Sequence, residues 1–257
     1  MRQMNLTRAN PLALLHPDWP APSHVKAMQT TRLGGCSSAP YASLNLGDHV
    51  GDAPERVAAN RELVGQYLPN PPIWLQQVHG ITVVDPATAV VGTAADAAVT
   101  RQAGAVCVVM TADCLPVLFC DRAGTVVGAA HAGWRGLCDG VLEATMQRMA
   151  VPASELLAWL GPAIGAQAFE VGAEVRAAFV AQDAEAAQAF QLHDPEQQKY
   201  LADIYALARL RLQKFGVSAA AIFGGNHCTV SQAEAFFSYR RDKVCGRMGS
   251  LIWLDPV

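Results

Sequence analysis

The chain has 257 residues, of which 51% are hydrophobic and 16% are charged, and its formal net charge is −3. This composition suits a large globular core, and the absence of any lysine or arginine run argues against a nucleic-acid-binding surface. The seven cysteines lack the regular spacing of a disulfide framework, which predicts a cytoplasmic protein. No segment approaches the ~20 apolar residues of a membrane-spanning helix, so we expect no membrane partner.

The pattern of apolar residues predicts an α+β fold, with many strands and with helices concentrated in the second half. One domain covers 1–257, and 1–24 is expected to be an N-terminal extension. The predicted strands are 25–31, 73–78, 81–85, 105–111, 115–120, 125–130, 156–160, 220–223 and 250–254. The predicted helices are one that Asp139 caps, one over 172–190, and one over 200–215 that stops at Gly216.

The runs 115–120 and 125–130 are separated by a polar turn that ends in Gly124, and this arrangement predicts a β-hairpin. If Cys120 faces Thr125, the same register places Cys114 opposite His131. Directly opposed residues share one face of the sheet, with Cβ atoms roughly 4.5–5.5 Å apart. One metal ion or one proton could then bridge the two side chains.

Three candidate ligands, His79, Cys114 and His131, occur in the phrases QVHG, TADCLPV and AAHAGWRG. Two imidazoles and one thiolate are typical of catalytic zinc, which keeps a fourth position open for water or substrate. His79 follows a predicted strand and reaches the other two only through the fold. Asp113 is expected to orient one of the ligands, because metal-bound histidines usually donate their second N–H to a carboxylate or carbonyl.

Several other chemistries lack their sequence motifs, since the chain contains no G-x-G-x-x-G, P-loop, H-E-x-x-H or G-x-S-x-G. Arginines beside flexible backbone are candidates for binding phosphate, because a guanidinium matches two oxygens at once. We predict this role for Arg32, Arg135 and Arg241, together with Asn45. The helix expected after GWRG adds free N–H groups that also favour an anion.

The phrases TTRLGGCSSAPYASLNLGDHVGD, QQVHG, TADCLPVLF, AAHAGWRG, GPAIGAQAFEVG, NHCT and FFSYRRD, in this order over about 25–253, resemble the YfiH-type, or laccase-domain, purine nucleoside phosphorylase family. The resemblance implies layered mixed and antiparallel β-sheets flanked by helices, similar to the cytotoxic necrotising factor hydrolases. It assigns zinc to His79, Cys114 and His131. It also implies phosphorolysis of adenosine, inosine, guanosine or methylthioadenosine, and deamination of adenosine.

Three alternatives stay open from the residues alone. A copper polyphenol oxidase could use the trio with Met110 nearby, as in a blue-copper centre, although the paired histidines of a trinuclear cluster are missing, since no H-x-H occurs. A metal-free hydrolase could use Cys114 as nucleophile and His131 as base. The chain could also be a non-enzymatic partner, for example in cell division. The resemblance adds a peptidoglycan-editing factor as a further alternative. The sequence does not predict the oligomeric state.

Overall fold

Thirteen strands and six α-helices make up the computed structural model, which describes residues 12–256. The strands are β1 (Leu14–Leu15), β2 (Val25–Thr30), β3 (Val83–Val84), β4 (Ala97–Thr100), β5 (Val106–Thr111), β6 (Leu115–Asp121), β7 (Val127–Ala132), β8 (Leu156–Leu160), β9 (Glu170–Gly172), β10 (Phe190–Asp194), β11 (Lys199–Ala202), β12 (Ile222–Gly224) and β13 (Met248–Leu254). The helices are α1 (Pro54–Gly65), α2 (Trp134–Asp139), α3 (Val141–Met149), α4 (Ala173–Gln182), α5 (Ile204–Phe215) and α6 (Tyr239–Asp242).

The described strands form three sheets. The largest has the order β12-β8-β6-β7-β4-β3, the second has the order β1-β2-β13-β5, and the smallest has the order β10-β11-β9. Most neighbours are antiparallel, but the pairs β12–β8 and β3–β4 are parallel. Every residue of β5, β6 and β7 is buried, which explains why these strands read as nearly continuous apolar runs. The predicted α+β class, with layered mixed sheets and flanking helices, is confirmed.

The predicted hairpin forms, but its register differs from the expected one by two residues. Cys120 pairs with Val127, and Pro116, not Cys114, lies opposite His131. The cause is the turn, where the Asp121 carboxylate accepts hydrogen bonds from the backbone N–H groups of Thr125 and Val126 and so delays the second strand. Because side chains alternate with a period of two, a two-residue shift preserves the face. Cys114, just before β6, therefore stays on the His131 side.

The predicted helices need three corrections. Asp139 ends α2 instead of capping the next helix, and Gly140, with φ of 105°, occupies the N-cap of α3. The region 172–190 is not one helix, because α4 ends at Gln182 and a 3-10 turn precedes β10. In 200–215 the first residues belong to β11, and the Asp203 side chain caps α5 by accepting from the Ala206 N–H.

Several elements differ from what the apolar pattern predicts. The run 73–78 is irregular apart from one bridge between Gln76 and Ala94, and 81–85 contains only the two-residue β3. The patterns did not predict α1, whose buried face includes the polar Asn60, or the alanine-rich β4. Residues 1–11 of the predicted N-terminal extension lie outside the described residues. Within the rest of the extension, β1 pairs with β2 and so forms part of a sheet. No helix between residues 12 and 256 is long and apolar enough to cross a membrane.

Candidate metal centre

The structure brings the three predicted ligands together at one end of the six-stranded sheet. His131 lies in β7, Cys114 lies in the turn before β6, and His79 lies in the loop that precedes β3. Their ligand atoms all lie within 4.8 Å of one another. The Cys114 Sγ is 3.8 Å from the His79 Nε2, and the two imidazole rings meet edge to face with centroids 4.8 Å apart.

One buried carboxylate, that of Asp96, holds both histidines. Its Oδ1 lies 2.8 Å from the Nδ1 of His131 and accepts a hydrogen bond of 2.9 Å from the His79 backbone N–H. Its Oδ2 accepts from the backbone N–H groups of Gly80 and Val78 at 2.7 and 3.2 Å. Because His131 uses Nδ1 for this contact, its Nε2 is the nitrogen left for a metal.

The expected role of Asp113 was therefore wrong. Its carboxylate oxygens accept hydrogen bonds of 2.6 Å from the Thr229 hydroxyl and from the backbone N–H of Arg240. Asp113 thus ties the Cys114 turn to the start of α6 instead of orienting a histidine. Its φ of 93° is uncommon for a residue with a side chain and costs conformational energy.

Two backbone features make room for the ligands. His79 adopts a left-handed conformation with φ of 61°, which the Asp96 contacts to the surrounding N–H groups stabilise. Gly133 approaches the centre so closely that a Cβ there would lie 2.7 Å from the His79 Cδ2 and 3.1 Å from the Cys114 Sγ. A side chain at position 133 would therefore displace two of the three ligands.

The electrostatics favour a thiolate at Cys114. Burial raises the pKa of its thiol, but the charge and hydrogen bonds of His131 and His79 outweigh burial and lower this pKa to about 6. Burial lowers the pKa of His131, whereas the Cys114 thiolate and the Asp96 carboxylate raise it to about 9. Burial also opposes ionisation of Asp96, but the hydrogen bonds from His131 and the backbone lower its pKa overall. A thiolate is the form of cysteine that binds a metal or acts as a nucleophile.

The donor set and its surroundings fit a tetrahedral metal ion. Around a tetrahedral zinc with bonds of 2.0–2.3 Å, ligand atoms lie about 3.3–3.7 Å apart, so the cluster needs only a small closure. A hydrogen-bonded Asp96 behind His131 is the usual carboxylate partner of a metal-bound imidazole. Three protein ligands leave one position free, which is the arrangement of catalytic sites and not of structural ones.

Two cavities adjoin at the trio and share His79, Ala112, Cys114 and Tyr239. The first, which we call the polar cavity, has a volume of about 410 Å³ and is also lined by His49, Gln77, Thr111 and Arg247. The second, which we call the aromatic cavity, has a volume of about 270 Å³ and is also lined by Trp134, Arg135, Ile164, Phe169, Ile204 and Arg240. The metal centre is therefore open to small molecules from both sides.

Of the four residues predicted to bind phosphate, only Arg135 lines either of these cavities. Arg32 donates to the carbonyl oxygens of Ala42 and Ala233. Arg241 donates to the carbonyl oxygens of Thr229, Val230 and Phe236 and pairs with Asp242. Both guanidinium groups thus support loops, which is a use of arginine that adjacent glycines do not reveal.

Asn45 is buried behind the polar cavity, where its Oδ1 accepts a hydrogen bond of 2.9 Å from the Arg247 backbone N–H. It therefore positions Arg247, which was not predicted from the sequence. Tyr239, Arg240 and Asp96 were not predicted either. The phrase FFSYRRD contains Tyr239 and Arg240, but only the neighbouring Arg241 was predicted to bind phosphate.

The fold is α+β, and its trio of two histidines and one cysteine could hold a metal ion beside two cavities. The chain belongs to the multi-copper polyphenol oxidoreductase laccase family, whose profile matches residues 26–255. It is similar to the proteins named purine nucleoside phosphorylase YfiH from Escherichia coli and Shigella flexneri, with 56% identity to each over 94% of this chain and 98% of theirs. Among solved structures, it is similar to the Neisseria meningitidis protein NMB0706, with 55% identity, a TM-score of 0.89, and coverage of 95% of this chain and 99% of that one.

Proposed function

We propose that the chain is a zinc-dependent purine nucleoside phosphorylase that converts adenosine, inosine, guanosine or methylthioadenosine, with phosphate, to the free base and the (methylthio)ribose 1-phosphate. We further propose that the same centre deaminates adenosine. The observation that carries the proposal is the trio of His79, Cys114 and His131 at the junction of two cavities. The names of the relatives supply the substrate class.

The proposed reaction is mainly a problem of position and charge. Phosphate must approach the anomeric carbon of the ribose on one side while the purine leaves on the other, so the two groups need adjoining compartments. The two cavities meet at the trio and provide such compartments. Guanidinium groups of Arg135 and Arg240 on one side and Arg247 on the other can neutralise the charge of phosphate or of a departing purine.

The residues of the chain also fix the geometry of the centre. Asp96 holds the Nδ1 of His131 and the backbone of His79, which fixes the orientation of the His131 ring and the position of the His79 loop. A bound zinc ion would supply Lewis-acid polarisation of a ribose or phosphate oxygen and, for deamination, activation of a water molecule. The Asp113 carboxylate accepts a hydrogen bond from the Arg240 backbone N–H and so holds the start of α6, which includes Tyr239, beside the trio.

Zinc is proposed over copper because the donor set is a thiolate and two imidazoles with an open position. The family description favours copper, and a laccase needs further histidines for a trinuclear cluster. Within residues 12–256 the trio is the one group of three or more potential ligands that lies close enough to hold a metal. We also propose a cytoplasmic location, since all seven cysteines are unpaired, as in a reducing compartment.

The direct test is metal analysis of freshly purified protein together with an assay of adenosine with and without phosphate. We expect about one zinc per chain, because only three ligands converge, and phosphate-dependent release of adenine and ribose 1-phosphate. Inosine formed from adenosine would report the deaminase activity. Stoichiometric copper with sustained oxidation of phenols, or unchanged adenosine and inosine with the zinc-loaded protein, would contradict the proposal.

A metal-free hydrolase is the second candidate, and the Cys114–His131 pair favours it. A half-buried thiolate beside a protonated imidazole is a typical activated nucleophile. The two candidates differ in their need for His79, which a metal requires as a third ligand and a cysteine nucleophile does not. Substitution of His79 therefore separates them.

A further inference from the structure

The two cavities beside the trio differ in the chemistry of their walls. Trp134, Phe169 and Tyr239 supply flat rings to the aromatic cavity, and Ile164 and Ile204 complete its apolar surface. The polar cavity shares Tyr239 and Ala112 and adds Met110, and its wall carries the His49 imidazole, the Gln77 amide and the Thr111 hydroxyl beside the Arg247 guanidinium. Ligands with different chemistry should therefore separate between the two compartments.

We propose that the aromatic cavity binds the purine base and that the polar cavity binds phosphate, with Arg247 as its main anchor. This assignment rests on the proposed phosphorylase function and gives each substrate its own subsite. The ribose then lies between the two subsites, at the trio. A purine and a phosphate held on two sides of the ribose match the geometry of a displacement at the anomeric carbon.

The arginines of the aromatic cavity are already stacked on its rings. The guanidinium carbon of Arg135 lies 4.5 Å from the Trp134 ring centroid, and that of Arg240 lies 5.8 Å from the Phe169 ring centroid. Arg240 also donates to the Ala168 carbonyl oxygen. Stacked rings and guanidinium planes bind a flat heterocycle well, because every base presents a π-face to them.

Arg247 is held in a fixed position at the polar cavity. Its Nη1 donates to the carbonyl oxygens of Cys245 and Gly246 at 3.1 and 3.0 Å, and its backbone N–H donates to Asn45. Gly47 leaves room for its stem, since a Cβ there would lie 2.7 Å from the Arg247 Cγ. Between residues 12 and 256, only Nη1 of this guanidinium donates hydrogen bonds, so Nε and Nη2 are available to an anion.

Two neighbours add to the polar character of this cavity. His49 is exposed at its edge, where its Nδ1 lies 3.5 Å from the Asp48 carboxylate. The Thr111 hydroxyl is buried and has no hydrogen-bond partner within the described part of the chain, so the wall carries unused hydrogen-bonding capacity. The aromatic cavity contains one carboxylate, Asp113, but both of its oxygens are occupied by Thr229 and Arg240.

The test is a pair of substitutions whose effects should separate in steady-state kinetics of the zinc enzyme. Arg247→Gln should raise the KM for phosphate by about tenfold or more, because a charge-assisted contact is lost, and should leave the KM for adenosine within about twofold. Phe169→Leu keeps an apolar side chain but removes the ring, and should raise the KM for adenosine by about five- to tenfold without changing that for phosphate. Zinc content, measured in parallel, should stay constant.

Matched controls come from residues that line neither cavity. Arg122→Gln removes an exposed guanidinium from the hairpin turn, and Phe190→Leu removes a ring with burial similar to that of Phe169. Both controls should leave the two KM values unchanged. Reversed effects of Arg247→Gln and Phe169→Leu, or equal effects of each variant on both substrates, would overturn the assignment.

A measurement on the wild-type zinc protein needs no variant. Free adenine and inorganic phosphate should bind simultaneously, because they occupy different cavities, and mutual exclusion in equilibrium titrations would overturn the assignment. If both ligands bind together but no nucleoside is cleaved, the proposed function fails while the assignment stands. If nucleosides are cleaved but the KM effects do not separate, the assignment fails and the proposed function stands.

Discussion

His131 and His79 reach the same centre from two very different regions of the molecule. His131 is 3% exposed and lies in a strand of which every residue is buried, so strand pairing and packing fix its backbone. His79 is exposed and lies in an irregular loop with φ of 61°, so packing contributes little to its position. Asp96 compensates for this difference, because one carboxylate binds the His131 ring and three N–H groups of the His79 loop.

The way in which each ligand is held determines what its substitution should affect. A ligand on a buried strand is held by the core, and its substitution should damage stability as well as metal binding. A ligand on a loop is held by a few hydrogen bonds, and its substitution should affect metal binding alone. Asp96 connects the two regions, so its substitution should reduce both stability and metal binding.

The largest effect is expected from Asp96→Ala. This substitution leaves His131 and the N–H groups of the His79 loop without their acceptor, so we expect the free energy of unfolding to fall by about 3–5 kcal/mol. Zinc affinity should fall by about 10–100-fold, the usual cost of losing a carboxylate behind a metal-bound histidine. Denaturant titration and competition with a zinc chelator measure the two effects.

Asp121→Ala is the matched control for Asp96→Ala. Asp121 is also buried and also accepts hydrogen bonds from backbone N–H groups, but in the hairpin turn. Asp121→Ala should lower stability without changing zinc affinity. Wild-type zinc affinity in Asp96→Ala would show that the two histidines are positioned without this carboxylate.

Substitutions of the two histidines should differ in their effect on the stability of the metal-free protein. His131→Ala removes a buried ring and leaves the Asp96 carboxylate without its partner, which should cost about 3 kcal/mol or more. His79→Ala removes an exposed ring and should stay within about 0.5 kcal/mol of wild type. Urea unfolding of both variants after chelation measures the difference, and equal losses would refute the comparison.

Gly133→Ala should have a smaller effect, limited to the metal. The added methyl group would lie 2.7 Å from the His79 Cδ2 and 3.1 Å from the Cys114 Sγ, so the ligands must move apart and zinc affinity should fall by about tenfold. Gly65→Ala is the control, since a Cβ there meets nothing within 4 Å and alanine is favoured in a helix. Unchanged zinc affinity in Gly133→Ala would show that the loop of His79 adjusts freely.

The smallest effect concerns the pH dependence of Cys114 in the metal-free protein. Because the pKa of its thiol is lowered to about 6 by the two histidines, the rate of alkylation by iodoacetamide should rise through pH 6 and level off above pH 7. Zinc should protect this cysteine. Peptide-level mass spectrometry distinguishes it from the exposed Cys36 and the half-buried Cys228, and a midpoint near the ordinary value of ~8.5 would contradict the thiolate.

The sequence predicted the clustering of the trio better than the residues that support it. His79, Cys114 and His131 stand in distinctive phrases, and the hairpin places Cys114 and His131 on one face even though the register differs by two residues. Asp96 stands in an alanine-rich run with no local sign of its partners, which come from 16–35 residues away. Asp113 adjoins Cys114 in sequence, but its positive φ accompanies contacts to Thr229 and Arg240 instead.

The roles of the arginines could not be predicted from the local sequence either. A guanidinium beside glycine can bind an anion or the carbonyl oxygens of a loop, and the sequence does not distinguish these uses. Arg32 and Arg241 bind carbonyl oxygens, whereas Arg247 reaches the polar cavity because Asn45 and Gly47 place it there. Such positions depend on contacts between distant segments, about 200 residues apart for Asn45 and Arg247.

The central claim is that the centre works through a metal held by all three ligands, and His79→Ala tests it most directly. Phosphate-dependent adenosine cleavage should be measured for wild type, Cys114→Ala and His79→Ala, each before chelation, after it, and after zinc is added back. We expect chelation to inactivate the wild type, zinc to restore it, and His79→Ala to lose as much activity as Cys114→Ala, because a catalytic ion does not keep its geometry on two side chains. Wild-type turnover by metal-free His79→Ala, abolished by alkylation of Cys114, would contradict the account and favour the cysteine hydrolase.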